Sequence, residues 1–376
     1  MDVINRDFCI FTRRKDLKLI RSFPKFPVFM GCVEQPEAKD IVADMNWYIS
    51  AGSGSLQLNP LIPLELVYPA QHNEAVGRLW TMHHQQFAEF IAEFDVHEVF
   101  EIGGANAIVA RNFLNLRPGA KWTLVEPNPK VAPEAGIQVI QGFFDDRFSY
   151  DGTFDAVVHS HLFEHVYDPR QFIEHLKGFV PVGKMHIFTL PNLMHFLKNC
   201  YTNCLNFEHT CFLIEPYIDT LLARNGFEIV SKRYFQDHSV FYATRRIEAV
   251  QDIAYPNLYE QNSALFRNFL TYHENIVADM NRRLESESRP VYLFGAHIFS
   301  QFLIAFGLNT RKIVAILDNG PQKIGKRLYG TSLKVYSPKV LKDKGENCVI
   351  LKTGMYNEEI KAQILQDINE QTIFWE

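Results

Sequence analysis

The chain has 376 residues, of which 47% are hydrophobic and 22% charged, and its formal net charge is -5 at pH 7. This length and composition allow a substantial core and predict two or three domains. An acidic balance without a long basic run argues against nucleic acid as a partner, and the lack of an apolar run of about 18 residues argues against a membrane-spanning helix.

The six cysteines include no C-x-x-C pair, which is typical of reduced thiols in a cytoplasmic protein. Cys200, Cys204 and Cys211 are close in sequence. They could bind a metal or could be buried thiols. Their spacing is not a familiar ligand spacing, and apolar neighbours favour buried thiols. The N-terminal segment lacks a signal-peptide pattern. We therefore expect a soluble, cytoplasmic protein with no membrane partner, and the sequence leaves its oligomeric state open.

Residues 1–72 are predicted to form a small irregular lobe with β-strand tendency, because prolines break any long element. These are Pro24, Pro27, Pro36, Pro60, Pro63 and Pro69. Residues 73–94 are predicted to be helical because apolar side chains repeat at about 3.6 residues. The repeating side chains are Leu79, Met82, Phe87, Phe90, Ile91 and Phe94. His83 and His84 are expected on the surface of this helix rather than as ligands.

Strands then alternate with helices, which predicts a parallel, doubly wound α/β sheet in a domain at 73–250. The predicted strands are 96–102, 121–125, 138–141, 154–158 and 184–190, followed by a closing antiparallel pair at 227–235 and 239–244. The predicted helices are 108–116, 169–179 and 212–225.

The most informative motif is the glycine turn after the first of these strands, where Glu101 precedes Gly103 and Gly104. A glycine turn followed by a second strand that ends in an acid, here Glu126, is an arrangement that binds a nucleoside. The third glycine of a dinucleotide site is absent, and Glu101 suits a cationic sulfonium better than a pyrophosphate. S-adenosylmethionine fits, with Glu126 accepting from the ribose hydroxyls; an ordinary turn without a ligand is the alternative.

Other residues near the same sheet edge complete the predicted cofactor pocket. Phe143 and Phe144 follow the third strand, where an aromatic ring could stack on adenine or belong to the core. The residues assigned to the cofactor are Glu101, Gly103, Gly104, Asn106, Glu126, Pro127, Phe143, Phe144 and His161.

Methyl transfer from a sulfonium needs in-line placement and, for a carbon-acid or hydroxyl acceptor, a base. Histidine is the natural base at neutral pH. His165 and His209 follow the fourth and fifth strands, and each comes directly after a glutamate. His165 could instead shape the adenosine pocket, and His209 could be an ordinary loop residue.

Residues 251–288 are predicted to form a helical linker, with the helix at 264–287, and the α/β pattern restarts at 289–376. The predicted elements there are a strand at 290–294, a helix at 298–306 and a strand at 313–318. Gly295 follows the first of these strands. It could lie beside a ligand, or it could only allow the chain to turn.

The order of these motifs resembles the three-domain C-methyltransferases that act on nucleotide-linked 4-keto-deoxysugars. That family has an N-terminal zinc lobe, a class I S-adenosylmethionine domain with a Rossmann-like fold, and a C-terminal α/β domain. Its motifs correspond here to 101–107, 208–209, 295–296 and 318–325. The resemblance implies a nucleotide-sugar substrate that the C-terminal domain recognises. It also implies His209 as the base that removes a sugar C3 proton, with Glu208 as its partner. With His165, which its position after the fourth strand suggests, these form the predicted catalytic group.

The chain departs from this family in three places, one of which is the glycine turn, where Asn106 and Ala107 stand for the family's Asp-Gly pair. The zinc cysteine pairs correspond to 9–12 and 50–53, where only Cys9 is a cysteine, so no metal is expected. The family has a pair of tyrosines near the start of the helix before the sheet. This chain has only Tyr68 there, and His72 is a candidate replacement for the second tyrosine. Sugar O-methylation and a non-catalytic cofactor-binding relative therefore stay open as alternatives.

Overall fold

The N-terminal lobe forms an antiparallel sheet that is more regular than the sequence predicts. In the computed structural model, which describes residues 2–68, 77–132 and 134–376, its elements are β1 (Leu17–Pro27), β2 (Cys32–Val33), β3 (Val42–Ser50), β4 (Leu56–Leu58) and α1 (Leu64–Val67). β3 lies between β1 and β4 and pairs with both in antiparallel register. Trp47 of β3 is fully buried, so the prolines interrupt the lobe without preventing a packed sheet.

The central domain contains a seven-stranded sheet in the order β10-β11-β9-β8-β5-β6-β7. Its elements are α2 (Arg78–Ile91), β5 (Glu98–Ile102), α3 (Ile108–Leu116), β6 (Lys121–Glu126), β7 (Ile137–Gln141), β8 (Ala156–Ser160), α4 (Pro169–Phe179), β9 (Met185–Pro191), α5 (Leu193–Lys198), α6 (Glu215–Arg224), β10 (Phe227–Phe235) and β11 (Ser239–Arg246). The strands β5 to β9 are parallel, and β11 runs antiparallel between β9 and β10. This is the predicted class I architecture, with α5 as an unpredicted addition.

Local sequence explains why these elements form where they do. All seven residues of β9 are buried, as expected for a strand in a parallel sheet covered on both faces. Asp168 caps α4 by accepting from the backbone N–H groups of Arg170 and Gln171, and Pro169 occupies the first helical position. Because β5, β8 and β9 are parallel, the end of β9 and the start of α4, which follows β8, lie at the same edge of the sheet as the glycine turn.

The C-terminal unit has a second parallel sheet, in the order β15-β13-β12-β16-β17. Its elements are α7 (Tyr259–Ser286), β12 (Val291–Phe294), α8 (Ile298–Ala305), β13 (Ile313–Leu317), β14 (Arg327–Leu328), β15 (Val335–Tyr336), β16 (Asn347–Leu351), α9 (Asn357–Asp367) and β17 (Thr372–Trp375). The sequence predicts the first half of this unit and misses the elements after β13. None of the helices in the described ranges is both long and apolar enough to cross a bilayer.

The N-terminal lobe and the C-terminal unit are directly joined. β2 pairs antiparallel with β14, and Arg327 makes a two-pronged ion pair with Asp40 at 2.6 and 2.7 Å. The long helix α7 packs Phe266 into the core shared with the lobe and Met280 into the core of the C-terminal unit. The predicted linker is therefore a packed structural element.

The positions that correspond to zinc ligands in the resembled family meet in the structure. The thiol of Cys9 lies 3.2 Å from the hydroxyl of Ser53, and the backbone N–H of Thr12 donates to the same sulfur. The hydroxyl of Ser50 donates to Asp16 and accepts from the N–H of Ser53. Hydrogen bonds thus connect these four positions.

Candidate active site

The glycine turn is built over the side chain of Glu101. The Glu101 carboxylate is buried and accepts a hydrogen bond from the indole N–H of Trp122 at 2.8 Å. A Cβ atom on Gly104 would stand 2.5 Å from Oε2 of Glu101, so only glycine fits above the carboxylate. Gly103 has a φ of +79°, which also favours glycine. Burial raises the pKa of the Glu101 carboxyl to about 7, and the nearby Glu126 carboxylate acts in the same direction.

Glu126 ends β6 beside this turn and keeps acceptor capacity for a ligand. One carboxylate oxygen accepts from the N–H of Ala105 at 3.3 Å, and the other accepts from the N–H of Asn128 at 2.9 Å. No cation pairs with Glu126 among residues 2–68, 77–132 and 134–376. A half-buried carboxylate held by two backbone N–H groups fits the predicted ribose-binding role.

The remaining cofactor candidates fall into exposed and packed groups. The ring of Phe143 is 70% exposed after β7, where it is free to stack on a ligand. The ring of Phe144 instead packs among Phe148, Phe172, His175 and Phe179. Asn106 and Pro127 lie in the two loops beside Glu126, and each offers its backbone oxygen to a neighbouring side chain. Phe144 is therefore partly buried against the core, closer to the core alternative that the sequence left open.

His209 is held by backbone groups of its own loop. The N–H groups of Glu208 and His209 both donate to the side-chain oxygen of Asn206, and Nδ1 of His209 lies 3.0 Å from the carbonyl oxygen of Asn203. Because a carbonyl only accepts, Nδ1 carries the proton and Nε2 is the basic nitrogen. Burial lowers the pKa of His209 to about 4, and His165 acts in the same direction, so the ring is neutral at pH 7.

His165 joins this loop to Tyr68. Its Nδ1 lies 2.7 Å from the Tyr68 hydroxyl and 3.9 Å from Oε2 of Glu208, and its ring centroid is 4.8 Å from that of His209. The pKa of Tyr68 is raised well above its ordinary value, first by burial and then by the Glu208 carboxylate, so the phenol stays protonated. The Glu208 carboxylate thus lies beside His165, and it also acts electrostatically on His209, the ring to which the sequence assigns it. His72, the candidate replacement for the second tyrosine, lies outside the described residues.

A second histidine group was missed in the sequence. His83 is fully buried rather than on the helix surface, and it meets His161 and His238. Its spacing of four residues from both Leu79 and Phe87 places it on the apolar face of α2, which was the available signal. His161 hydrogen-bonds Glu164 and Ser239 through its two ring nitrogens, at 3.0 Å each. No sequence pattern marked His238 as its neighbour.

The three clustered cysteines are buried thiols. Cys204 donates to the carbonyl of Leu193, and Cys200 accepts from Asn268. Burial raises the pKa of Cys204 well above its ordinary value and that of Cys211 to about 11. Protonated, buried thiols agree with the interpretation that apolar neighbours favoured.

Family models match two consecutive regions of the sequence. A methyltransferase domain matches residues 72–232, and a C-methyltransferase C-terminal domain matches residues 239–374. No curated protein matches the sequence.

Several solved methyltransferase structures resemble the fold at low identity. An O-methyltransferase family protein from Burkholderia thailandensis has a TM-score of 0.37 and 13% identity over 45% of this chain and 58% of its own. Human N-acetylserotonin methyltransferase has a TM-score of 0.37 and 14% identity over 50% and 63% of the two chains. The dimethyltransferase RosA from Streptomyces davawensis has a TM-score of 0.34 and 20% identity over 44% and 55%. The match thus spans less than two thirds of each of these relatives.

The strand order and the family matches agree with one another. Seven strands with one antiparallel member form the sheet, and the methyltransferase model covers the residues of the glycine turn and both E-H pairs. Together they identify the chain as an S-adenosylmethionine-dependent methyltransferase that carries the C-terminal domain of C-methyltransferases.

Proposed function

We propose that the enzyme methylates a carbon atom of a nucleotide-activated 4-keto sugar, with His209 as the base. The observation that carries this proposal is the hydrogen bond between Nδ1 of His209 and a backbone carbonyl. It leaves Nε2 unprotonated in a neutral ring, as proton abstraction from a carbon acid requires. The bound cofactor supplies a methyl group on a sulfonium.

Tyr68 and His165 are suited to stabilise the negative charge that follows proton removal. Loss of a proton beside a ketone forms an enolate, whose oxygen needs hydrogen-bond donors. The protonated phenol of Tyr68, 2.7 Å from His165, can supply one. Glu208 and Glu164 lie 3.9 Å from opposite nitrogens of His165.

The C-terminal unit is the proposed binding site for the nucleotide part of the substrate. Support comes from its match to the C-terminal domain of C-methyltransferases and from its parallel sheet with a glycine turn after β12. Ligands of such sheets bind at the carboxyl ends of the strands.

Solvent exchange tests this function. Nucleotide 4-keto-deoxysugars would be incubated in D2O with enzyme and S-adenosylhomocysteine, and deuterium at the carbon beside the ketone measured by NMR. Enzyme-dependent exchange and a C-methylated product with S-adenosylmethionine are expected. A methylated hydroxyl without exchange would establish O-methylation instead. Calorimetry that detects no S-adenosylhomocysteine binding would leave the protein only a scaffold role, whereas binding without exchange or turnover would favour a non-catalytic cofactor-binding relative.

Substitution of the base provides the second test. His209→Asn is expected to lower turnover by roughly 10²- to 10⁴-fold, the range for general-base catalysis, while cofactor affinity stays unchanged. His97→Ala is the matched control, because His97 is an exposed histidine at the opposite end of β5. Exchange that persists in His209→Asn would remove His209 from the mechanism.

A further inference from the structure

Three histidines from distant parts of the sequence meet beneath Trp80. His83 belongs to α2, His161 follows β8, and His238 lies in the turn before β11. One ring nitrogen of each lies within 4.8 Å of the other two, and the Trp80 ring contacts all three imidazoles. We propose that this group, the three-histidine cluster, binds a zinc-type divalent cation, although the sequence suggests no metal.

Each imidazole has one ring nitrogen whose hydrogen-bond partner could orient the ring as a metal ligand. Nε2 of His83 lies 3.2 Å from the hydroxyl of Thr189, Nδ1 of His161 lies 3.0 Å from Glu164, and Nε2 of His238 lies 3.3 Å from the hydroxyl of Tyr356. Zinc-binding histidines characteristically donate their second N–H to a carboxylate or another oxygen. The Glu164–His161 pair has that arrangement.

The other three nitrogens are the candidate ligands, and hydrogen bonding satisfies only two of them. The hydroxyl of Ser239 lies 3.0 Å from Nε2 of His161 and 2.6 Å from Nδ1 of His238. Nδ1 of His83 is buried without a hydrogen-bond partner. An unsatisfied buried polar atom destabilises the fold, and a cation shared by the three nitrogens would satisfy it.

The chemistry and spacing of the rings suit a metal. Imidazole nitrogen is a preferred zinc ligand, at about 2.0–2.1 Å in a tetrahedral site. The nitrogens of such a site are about 3.4 Å apart. The three nitrogens lie within 4.8 Å of one another, and rotation of the side chains would bring them to that spacing when the metal binds. Ser239 supplies an oxygen beside two of them.

Two other polar groups in the described part of the chain lack this combination. The buried pair His159 and His186 shares one hydrogen bond, but it has no third ligand. The group of Glu164, His165 and His209 offers only two imidazoles, and its carboxylate already hydrogen-bonds Nδ1 of His161. The three-histidine cluster is therefore the better cation site.

Metal analysis of the full-length protein tests the proposal. After removal of metal with a chelator, zinc would be added in limiting amounts, and the bound metal measured by mass spectrometry after gel filtration. One equivalent of zinc and a rise in melting temperature are expected. Cobalt is expected to give the visible absorption of a tetrahedral site. Failure to retain zinc, with no cobalt spectrum, would overturn the proposal and leave a hydrogen-bonded cluster only.

Variants locate the cation. His238→Ala and the conservative His83→Gln are each expected to lower zinc affinity by at least tenfold, and circular dichroism verifies that they fold. His84→Ala, which changes the neighbouring histidine of α2, and His165→Ala are expected to retain one equivalent. Zinc that persists in His238→Ala and His83→Gln but is lost in His165→Ala would assign the metal to the catalytic group and overturn the proposal.

Discussion

The central domain and the C-terminal unit repeat one motif with different outcomes. Each has a parallel sheet, a glycine turn after its first strand and an acid after the adjacent strand. In the central domain, Glu126 is half-buried and accepts two backbone N–H groups. In the C-terminal unit, Asp318 is buried, accepts from the N–H groups of Ala296 and Gly320, and is paired with Lys323 at 3.0 Å.

This difference teaches that a glycine turn and an acid do not by themselves make a nucleoside site. To bind a nucleoside, the acid must have oxygen lone pairs that are not occupied by hydrogen bonds or ion pairs within the protein. Lys323 neutralises Asp318 and removes much of that capacity, whereas no described residue neutralises Glu126. We infer that Glu126 serves the cofactor and that Asp318 mainly holds its own turn.

The largest expected effect is on the stability of the C-terminal unit. Asp318→Ala leaves Lys323 without its partner in a mostly buried position, which we expect to lower the free energy of unfolding by about 3–5 kcal/mol. Urea denaturation measures this, and the exposed Asp367→Ala is the control. Cofactor affinity, measured by calorimetry, should not change. Weakened cofactor binding at unchanged stability would break the comparison.

The next effect concerns cofactor affinity. Glu126→Gln replaces one carboxylate acceptor with an amide N–H group, which we expect to weaken binding of S-adenosylhomocysteine by about 1.5–3 kcal/mol, or roughly 10- to 150-fold. Calorimetry measures the loss. Glu134→Gln, which changes a carboxylate paired with Arg111 nearby, should bind normally. Equal affinities for the two variants would remove Glu126 from the pocket.

The pH dependence of binding would sharpen the role of Glu101. Its pKa is raised from 4.5 to about 7, so it contributes less to stability as pH rises from about 4.5 to 7, and its contribution is constant above that range. A cationic ligand favours the carboxylate, so S-adenosylmethionine should bind up to about tenfold more tightly at pH 8 than at pH 6. Titration at several pH values measures this. Glu101→Gln should flatten the profile, and an unchanged slope would contradict the role.

The smallest expected effect separates the two phenylalanines after β7. Phe143→Ala should weaken cofactor binding by about 0.5–1.5 kcal/mol, the range of an aromatic stacking interaction, with little change in stability. Phe144→Ala should do the reverse and lower the free energy of unfolding by about 3 kcal/mol, because its ring packs among four aromatic side chains. Calorimetry and urea denaturation on both variants would decide, and an exchange of these outcomes would reverse the assignment.

The regular elements of the central domain were predictable because their signals are local. Helices 108–116 and 169–179 and the strand 227–235 occur with the predicted bounds. Apolar periodicity and caps act over a few residues, so the sequence contains them directly. The short helix α5 and the elements after β13 are brief or weakly periodic, and the sequence analysis missed them.

The candidate site was partly predictable for a related reason. His165 and His209 each follow a strand that ends at the same sheet edge, and the structure brings their rings to 4.8 Å. The sequence could not assign the partner of each ring, because Asn203, Tyr68 and Glu208 reach them through loop geometry. His83 was wrongly placed on the surface, although its spacing from Leu79 and Phe87 puts it on the apolar face of α2.

The sequence by itself determined the class I fold, the methyltransferase activity and the cofactor, since these depend on strand periodicity and a glycine turn beside two acids. Tertiary structure alone decided which carboxylates stay available, which phenylalanine packs against the core, and which three histidines meet. Those properties depend on contacts between residues as many as 155 positions apart, and short-range patterns carry no information about such contacts.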